Sequence, residues 1–150
     1  MNYHSLRRPT AVPFAPAAAA AARGELVPLL SGPTVVAVHL PGVRTAFDIE
    51  VKAEAPIELH SHRATLVVIP IEFVALETGA HLPRFVGSIE LSCPGERTFD
   101  VVLEGEFEGS AERIADLVPA EELLQAVLDE LADRIERHVV TADPTLGIPF

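Results

Sequence analysis

Hydrophobic and polar residues alternate along most of the chain between residues 34 and 109, and this pattern predicts β-strands. The clearest stretch is RTAFDIEVKAE at 44–54, where apolar residues fall on one side and charged residues on the other. Short connections, including the Pro-Gly turn at 94–95, predict an antiparallel meander. The five predicted strands lie at 34–40, 44–54, 64–77, 83–93 and 97–109.

The apolar stretch at 64–77 differs from the other strands because it is hydrophobic on both sides, which indicates a well-covered strand. Pro70 inside it predicts a bulge, a bend or an edge, since proline cannot donate to a ladder. Glu72 stands in the same run. A buried carboxyl there would have a raised pKa and could act as a general acid or base. The alternatives are exposure at a bulge or pairing with an arginine such as Arg84.

A helical period replaces the alternation after residue 110. We predict a short helix at about 111–117, a long helix at about 119–139 and an extended tail at 140–150. In the long helix the apolar residues recur on one stripe, with acids in the first turn and basic residues near the end. The stripe comprises Leu124, Val127, Leu128, Leu131, Ile135 and Val139.

One apolar sheet face and one apolar helix stripe predict an α+β fold, in which a curved antiparallel sheet carries the C-terminal helix across its concave face. Residues 34–150 are predicted to form a single domain of this kind. The space between sheet and helix is either a filled core or a cleft for an apolar ligand. The candidate cleft residues are Phe47, Ile49, Phe99, Val101, Phe107, Leu124, Leu128 and Leu131.

Residues 1–33 form a leader rich in proline and alanine. Pro16 can open a short helix that ends at Ala22 and is closed by Gly24. We expect the first dozen residues to be mobile or to lie across a partner. The paired arginines and the small apolar residues that follow resemble a signal peptide, but three prolines interrupt the stretch. The prediction is therefore a cytoplasmic protein.

A meander followed by a long C-terminal helix is similar to the helix-grip proteins, over residues 34–139. That resemblance rests on the pattern of elements and on no motif. It implies that an apolar ligand is held between the sheet and the helix. Helix-grip proteins usually open with a strand and two helices, and we expect this leader to be too short for such an opening.

Charge and composition exclude several classes of function. The formal net charge is −11, and thirteen acids against three arginines lie between Glu96 and Glu136. Nucleic acid and anionic membrane surfaces are therefore disfavoured partners, whereas a basic protein partner is compatible. We expect the acids of neighbouring strands to cluster on the outer sheet face: Asp48, Glu50, Glu90, Asp100, Glu104 and Glu106.

Candidate chemistry is sparse in this sequence. His60 and His62 would point to the same side of a strand, as a metal pair would, but no third ligand stands at a recognised spacing. Cys93 is the only cysteine, which excludes an intramolecular disulfide, and we interpret it as a core or rim thiol. We therefore predict no metal site and no cofactor, and we interpret HSHR as an exposed turn.

Three functions follow from these observations. The leading hypothesis is a small non-enzymatic binding protein that uses the sheet–helix cleft for an apolar ligand or its strand edges for a protein partner. A meander has two open edges, so a homodimer or larger assembly is expected. The second hypothesis is a lyase, cyclase or isomerase with Glu72 and a histidine as acid and base. The third is an acidic chaperone-like or structural subunit.

Overall fold

A computed structural model describes residues 3–40, 43–60, 65–75, 84–93, 97–108 and 120–142. Within these ranges the chain forms seven strands and three helices. In chain order they are β1 (Tyr3–Pro13), α1 (Phe14–Ala22), α2 (Leu26–Leu30), β2 (Gly32–Leu40), β3 (Val43–Ala53), β4 (Ile57–His60), β5 (Thr65–Ala75), β6 (Phe85–Cys93), β7 (Thr98–Phe107) and α3 (Ala120–Ala142).

All seven strands belong to one antiparallel sheet that curls into a half-barrel. The strand order is β1-β7-β6-β5-β3-β2, so that β1 and β2 are the two edges, and β4 pairs only with β5. The long helix α3 contacts both edge strands as well as β7, α1 and α2. It therefore bridges the open side of the half-barrel. The α+β class with an antiparallel sheet and a C-terminal helix is confirmed.

In its described residues, the Pro/Ala-rich leader differs most from the structure that the sequence predicted. Residues 3–13 form the edge strand β1, which pairs with β7, and α1 and α2 follow directly. An edge strand tolerates Pro9 and Pro13 because no neighbour needs their missing N–H groups. The expectation that the first dozen residues are mobile or lie across a partner was wrong for residues 3–12. The expectation that the leader is too short for a strand and two helices was also wrong, because β1, α1 and α2 all lie within residues 3–30.

The strands β3 and β4 lie along the same side of β5 and are separated by a bulge. Ala53 is paired with Ile71, and Ile57 is paired with Val68, so β3–β4 contains one residue more than β5 over this interval. Pro70 lies opposite the bulge, where its carbonyl accepts a hydrogen bond from the amide of Glu54 at 2.9 Å. A proline in this interior strand is therefore tolerated because the ladder is already interrupted there.

The predicted inward faces of the strands agree with the structure. Alternate residues of β3, β6 and β7 are buried on the concave side, and the predicted helical stripe of α3 is buried against them. The helix runs to Ala142, so residues 140–142 are helical and not part of an extended tail. The predicted helix at 111–117 and the tail from residue 143 lie outside the described residues.

The first turn of α3 carries acidic residues, whereas its last turn carries no basic ones. Glu121 and Glu122 occupy the first turn, where carboxylates interact favourably with the positive end of the helix dipole.

None of the helices in the described part of the chain combines the length and apolar composition that a membrane crossing requires.

Candidate functional site

Three phenylalanine rings lie side by side at one end of the concave face. Phe73, Phe85 and Phe107 are directly paired across β5, β6 and β7. The ring centroids of Phe73 and Phe85 are 4.9 Å apart in a stacked arrangement, and those of Phe85 and Phe107 are 5.2 Å apart. Both distances lie in the favourable range for aromatic pairs. With His4, described below, these residues form the aromatic end of the concave face.

Two glycines shape the sheet beneath these rings. Gly87 and Gly105 are paired across β6 and β7, one inward position away from the phenylalanines. A Cβ on Gly105 would lie 2.4 Å from the Val86 carbonyl oxygen and 2.8 Å from the Phe85 ring, and one on Gly87 would lie 1.9 Å from the Glu104 oxygen. Only glycine permits this close approach of backbones. The Phe85 ring occupies the space that a side chain at residue 105 would take.

His4 completes the aromatic end from the edge strand β1. It is paired with Gly105 and faces the concave side. Its ring meets Phe107 edge to face, with the centroids 6.0 Å apart and the planes at 79°. The Nε2 atom is buried and has no hydrogen-bond partner among the described residues. Buried polar atoms are usually hydrogen-bonded, so this nitrogen is an exception that calls for an explanation.

The remainder of the concave face is aliphatic and closely packed. Leu124, Leu128 and Leu131 of α3 have 0% of their surface exposed, as do Ile89, Leu91 and Val101 on the sheet. We call these six residues the aliphatic region. A side chain with no exposed surface adjoins no space large enough for a water molecule, so this part of the sheet–helix space is filled.

The predicted cleft residues are all buried in one core cluster. They nevertheless differ in the fraction of their surface that remains exposed. Ile49, Phe99 and Val101 are exposed by 0–1%, like the three leucines of α3, whereas Phe47 and Phe107 retain 8% and 7%. Phe47 lies beyond the aromatic end, toward the start of β3.

Arg8 links β1 to the middle of α3. It faces the concave side, and its guanidinium donates hydrogen bonds to the Asp129 carbonyl oxygen at 2.7 Å and to Asp133 Oδ1 at 2.5 Å. Burial opposes the charge on this arginine, but the carboxylates around it outweigh that effect and raise its pKa. A charged residue can therefore occupy an inward position because the helix supplies its partners.

The C-terminal half of α3 is tied to the segment around α2. His138 Nε2 lies 2.8 Å from Glu25 Oε1, and Arg134 donates to the Leu29 carbonyl oxygen at 3.4 Å. Glu25 also accepts a hydrogen bond from Arg23, and this bond, with the one to His138, lowers the pKa of the Glu25 carboxyl. These contacts hold the C-terminal half of α3 against the segment between α1 and β2.

Glu72 lies on the outer face of the sheet and not in the sheet–helix space. It is paired with Lys52, its side chain is 37% exposed, and Arg84 Nη1 lies 3.9 Å from its Oε2. Glu50 and Val74 join these residues around an outer groove of about 180 Å³. The hypothesis of a buried acid was wrong for Glu72, because the alternation of β5 turns this residue outward while Ile71 and Phe73 face the core.

The outer acids form two groups. Glu90, Asp100, Glu104 and Glu106 lie on the neighbouring strands β6 and β7, whereas Asp48 and Glu50 lie on β3, on the other side of β5. Burial, followed by the charge of Glu104, raises the pKa of the Glu90 carboxyl. Arg7, Tyr3 and Ser5 of β1 bind these acids: Arg7 to Asp100 at 2.6 Å, and Tyr3 and Ser5 to Glu104 at 2.8 and 3.2 Å.

The short strand β4 exposes hydrophobic side chains beside an open edge. Ile57 and Leu59 point outward and are 53% and 50% exposed. In the described part of the chain β4 pairs only with β5. Glu58 of β4 and Val67 of β5 line a groove of about 230 Å³ beside α1. An open strand edge with apolar neighbours favours pairing with another chain.

The remaining candidates give no site in the described residues. His62 and the side chain of His60 lie outside them, so the prediction about the histidine pair stays a prediction. No group of three metal-ligating side chains occurs among the described residues. Cys93 is half-buried at the end of β6 and packs against the core.

The residues that the sequence analysis missed lie in β1. His4 and Arg8 alternate with outward residues at a period of two, which is a strand signal. The signal is weak because the inward positions of β1 include His4, Arg8 and Thr10, and polar residues at those positions hide the alternation.

A search against protein-family models and a search of curated proteins both found no match for this sequence.

Proposed function

We propose that this protein binds an apolar small molecule at the aromatic end of the concave face, between the sheet and the N-terminal half of α3. The observation that carries the proposal is the row of Phe73, Phe85 and Phe107, paired in register on three adjacent strands. Aromatic side chains supply large apolar contact areas, and ligand sites are lined mainly by such residues with few polar groups. His4 is the only polar side chain of this set.

The contrast with the aliphatic region supports this location. Phe85 and Phe73 are covered nearly as completely as the aliphatic region, with 0% and 2% exposure, but Phe107 keeps 7% and one polar atom of His4 lacks a partner among the described residues. The order of elements, with a strand and two helices before six strands and a long helix, is that of helix-grip proteins. That resemblance implies the same kind of ligand in the same space.

The proposal is tested by titrating the full chain with naphthalene and measuring the unfolding temperature by calorimetry. A ligand that binds only the folded state raises this temperature as its concentration increases. Phe107→Leu should weaken binding. Phe99→Leu is the matched control, because Phe99 is also an inward phenylalanine of β7 but lies at the other end of the strand, against Phe14.

Three results bear on the proposal. Weaker binding in Phe107→Leu together with unchanged binding in Phe99→Leu supports it. Equal loss in both variants means that binding depends on general stability, which contradicts the proposed location. No shift in the unfolding temperature of the unaltered chain, up to the solubility limit of naphthalene, contradicts the function itself.

Self-association through β4 is the second candidate, and the half-exposed side chains of Ile57 and Leu59 on an open-edged strand support it. We propose that two copies pair along these strands, which would cover the apolar side chains of both. The test is sedimentation equilibrium of the full chain at tens of micromolar. This concentration detects dimers whose free energy of association is about 7 kcal/mol or less in magnitude. Leu59→Lys should shift the protein to a monomer.

Val35→Lys is the matched control for this experiment, because Val35 is a 60% exposed outward residue on a different edge strand. Association that is lost equally in both variants would assign it to net charge and not to β4. A full chain that sediments as a monomer contradicts the candidate.

A further inference from the structure

The geometry points to His4 Nε2 as the polar anchor of the ligand site, where it forms a hydrogen bond with a single oxygen atom on an otherwise apolar ligand. This inference rests on the proposed function and adds the chemical class of the ligand. We infer a neutral molecule with an aromatic or alicyclic body that carries a hydroxyl or carbonyl oxygen at one end.

Leaving this nitrogen without a partner has a free-energy cost. Nε2 is buried, and no described residue forms a hydrogen bond with it. A buried polar atom without a partner loses the hydrogen bond that water provided in the unfolded chain. A phenylalanine at this position would continue the row of rings without that loss. The polar atom is therefore an unfavourable choice for the empty protein and a favourable one for a complex.

The imidazole lies beside the row of phenylalanines. His4 is in register with the paired residues Gly105 and Gly87, one inward position from the pair Phe107 and Phe85, and its ring is edge-on to Phe107. The Phe85 ring fills the space above Gly105, whereas Phe107, which the imidazole contacts, keeps 7% of its surface exposed. A ligand that stacks on Phe107 therefore has its end within reach of the imidazole.

Charge also restricts the ligand. The carboxylates nearest to this part of β1 and β7, Glu104 and Glu106, belong to the outer face, where Glu104 is held by Tyr3 and Ser5. The described acids of β6 and β7 alternate with the inward residues of these strands and therefore face away from His4. A charged ligand group would be buried here without a counter-ion, at a high cost. A neutral imidazole offers one donor and one acceptor, so a hydroxyl or carbonyl oxygen matches it.

The experiment compares three probes of equal ring size on the full chain: naphthalene, 2-naphthol and 2-acetylnaphthalene. Affinities are measured by titration calorimetry at neutral pH. We expect 2-naphthol or 2-acetylnaphthalene to bind about tenfold more tightly than naphthalene, which is the effect of one hydrogen bond. A preference for the hydroxyl over the carbonyl probe would identify Nε2 as the acceptor, and the reverse would identify it as the donor.

Two variants assign this preference to the nitrogen. His4→Phe keeps a ring but removes the polar atom, and it should bind all three probes with equal affinity. Its unfolding temperature without ligand should equal or exceed that of the unaltered chain. His4→Gln places an amide near the position of Nε2 and should retain part of the preference. In the unaltered chain labelled with ¹⁵N at histidine, the oxygen-bearing probe should shift the His4 Nε2 resonance and naphthalene should not.

The outcomes separate this inference from the proposed function. Equal binding of all three probes by the unaltered chain overturns the polar anchor and leaves the apolar site standing. A preference that persists in His4→Phe, or an oxygen-bearing probe that leaves the Nε2 resonance unchanged, also overturns it. Failure of every probe to bind overturns both proposals. If His4→Phe does not fold, the ¹⁵N measurement on the unaltered chain still decides.

Discussion

The two parts of the concave face differ in how they are filled. In the aliphatic region, leucines of α3 meet isoleucine, leucine and valine of the sheet, and no surface remains exposed. At the aromatic end, three large rings stand over two glycines, and a histidine nitrogen has no partner among the described residues. Branched aliphatic side chains interdigitate and exclude space, whereas flat rings provide surfaces that another flat molecule can contact.

The aliphatic region is a structural part of the core, and the aromatic end is the candidate functional part. The aliphatic region holds α3 against the sheet through burial and is reinforced by Arg8. The aromatic end carries a feature that does not stabilise the empty protein, namely a buried nitrogen without a partner among the described residues. Such a local departure from polar satisfaction is commonly associated with functional sites.

The largest effect is expected in the aliphatic region. Leu128→Ala or Leu131→Ala should lower the free energy of unfolding by roughly 2–5 kcal/mol, because each leucine is fully buried in a filled space. Denaturant melts measure this loss. A naphthalene-type probe should not restore the stability beyond its effect on the unaltered chain. Losses well below this range would mean that the region adjoins a cavity and that the comparison is wrong.

A second test targets the backbone at the aromatic end. Gly105→Ala should cost about 1–3 kcal/mol, since its Cβ would meet the Val86 oxygen at 2.4 Å and must displace the Phe85 ring. We also expect this variant to bind apolar probes less well. Gly24→Ala is a useful control, because Gly24 has a positive φ of 73° but no neighbour within 4 Å of a Cβ. Unchanged probe binding by a folded Gly105→Ala protein would contradict the role of the glycine pair.

A third test removes the link between β1 and α3. Arg8→Met keeps much of the apolar stem but loses the hydrogen bonds to Asp129 and Asp133, and it should cost about 1–2 kcal/mol. The change should also speed hydrogen exchange in the middle of α3. Arg7→Met is the matched control, because Arg7 points outward and binds only the surface residue Asp100 among the described residues. Equal effects of the two changes would show that Arg8 does not hold the helix.

The smallest effect concerns pH. The pKa of Glu25 is lowered below its ordinary value of 4.5, mainly by the hydrogen bond from Arg23 and then by His138. The unfolded chain therefore binds this proton more readily, so the stabilising contribution is present above pH 4.5 and is lost as the pH falls through the lowered value. Glu25→Gln should be slightly less stable than the unaltered chain at pH 7 and equally stable at low pH. Hydrogen exchange at the C-terminal end of α3 provides the local measurement, and a difference that grows on acidification would contradict this assignment.

Much of the fold was accessible from the sequence. The strands β2, β3, β5, β6 and β7 and the helix α3 were predicted within a few residues of their observed bounds. The bulge opposite Pro70 and the ion pair of Glu72 with Arg84 were among the stated alternatives. Two strands, β1 and β4, and the short helix α2 were not predicted. These elements are short or carry polar residues inward, and their local patterns are correspondingly weak.

The sequence by itself determined which side of each central strand is buried and which stripe of α3 faces the sheet, because alternation and helical period are local properties of the chain. Only the tertiary structure decided that Arg8 faces inward, since its partners on α3 lie more than a hundred positions away. The same holds for His4, whose position depends on pairing with Gly105 and on contact with Phe107. A residue whose environment is supplied by distant parts of the chain carries no local signal of its role, and both residues of β1 are of this kind.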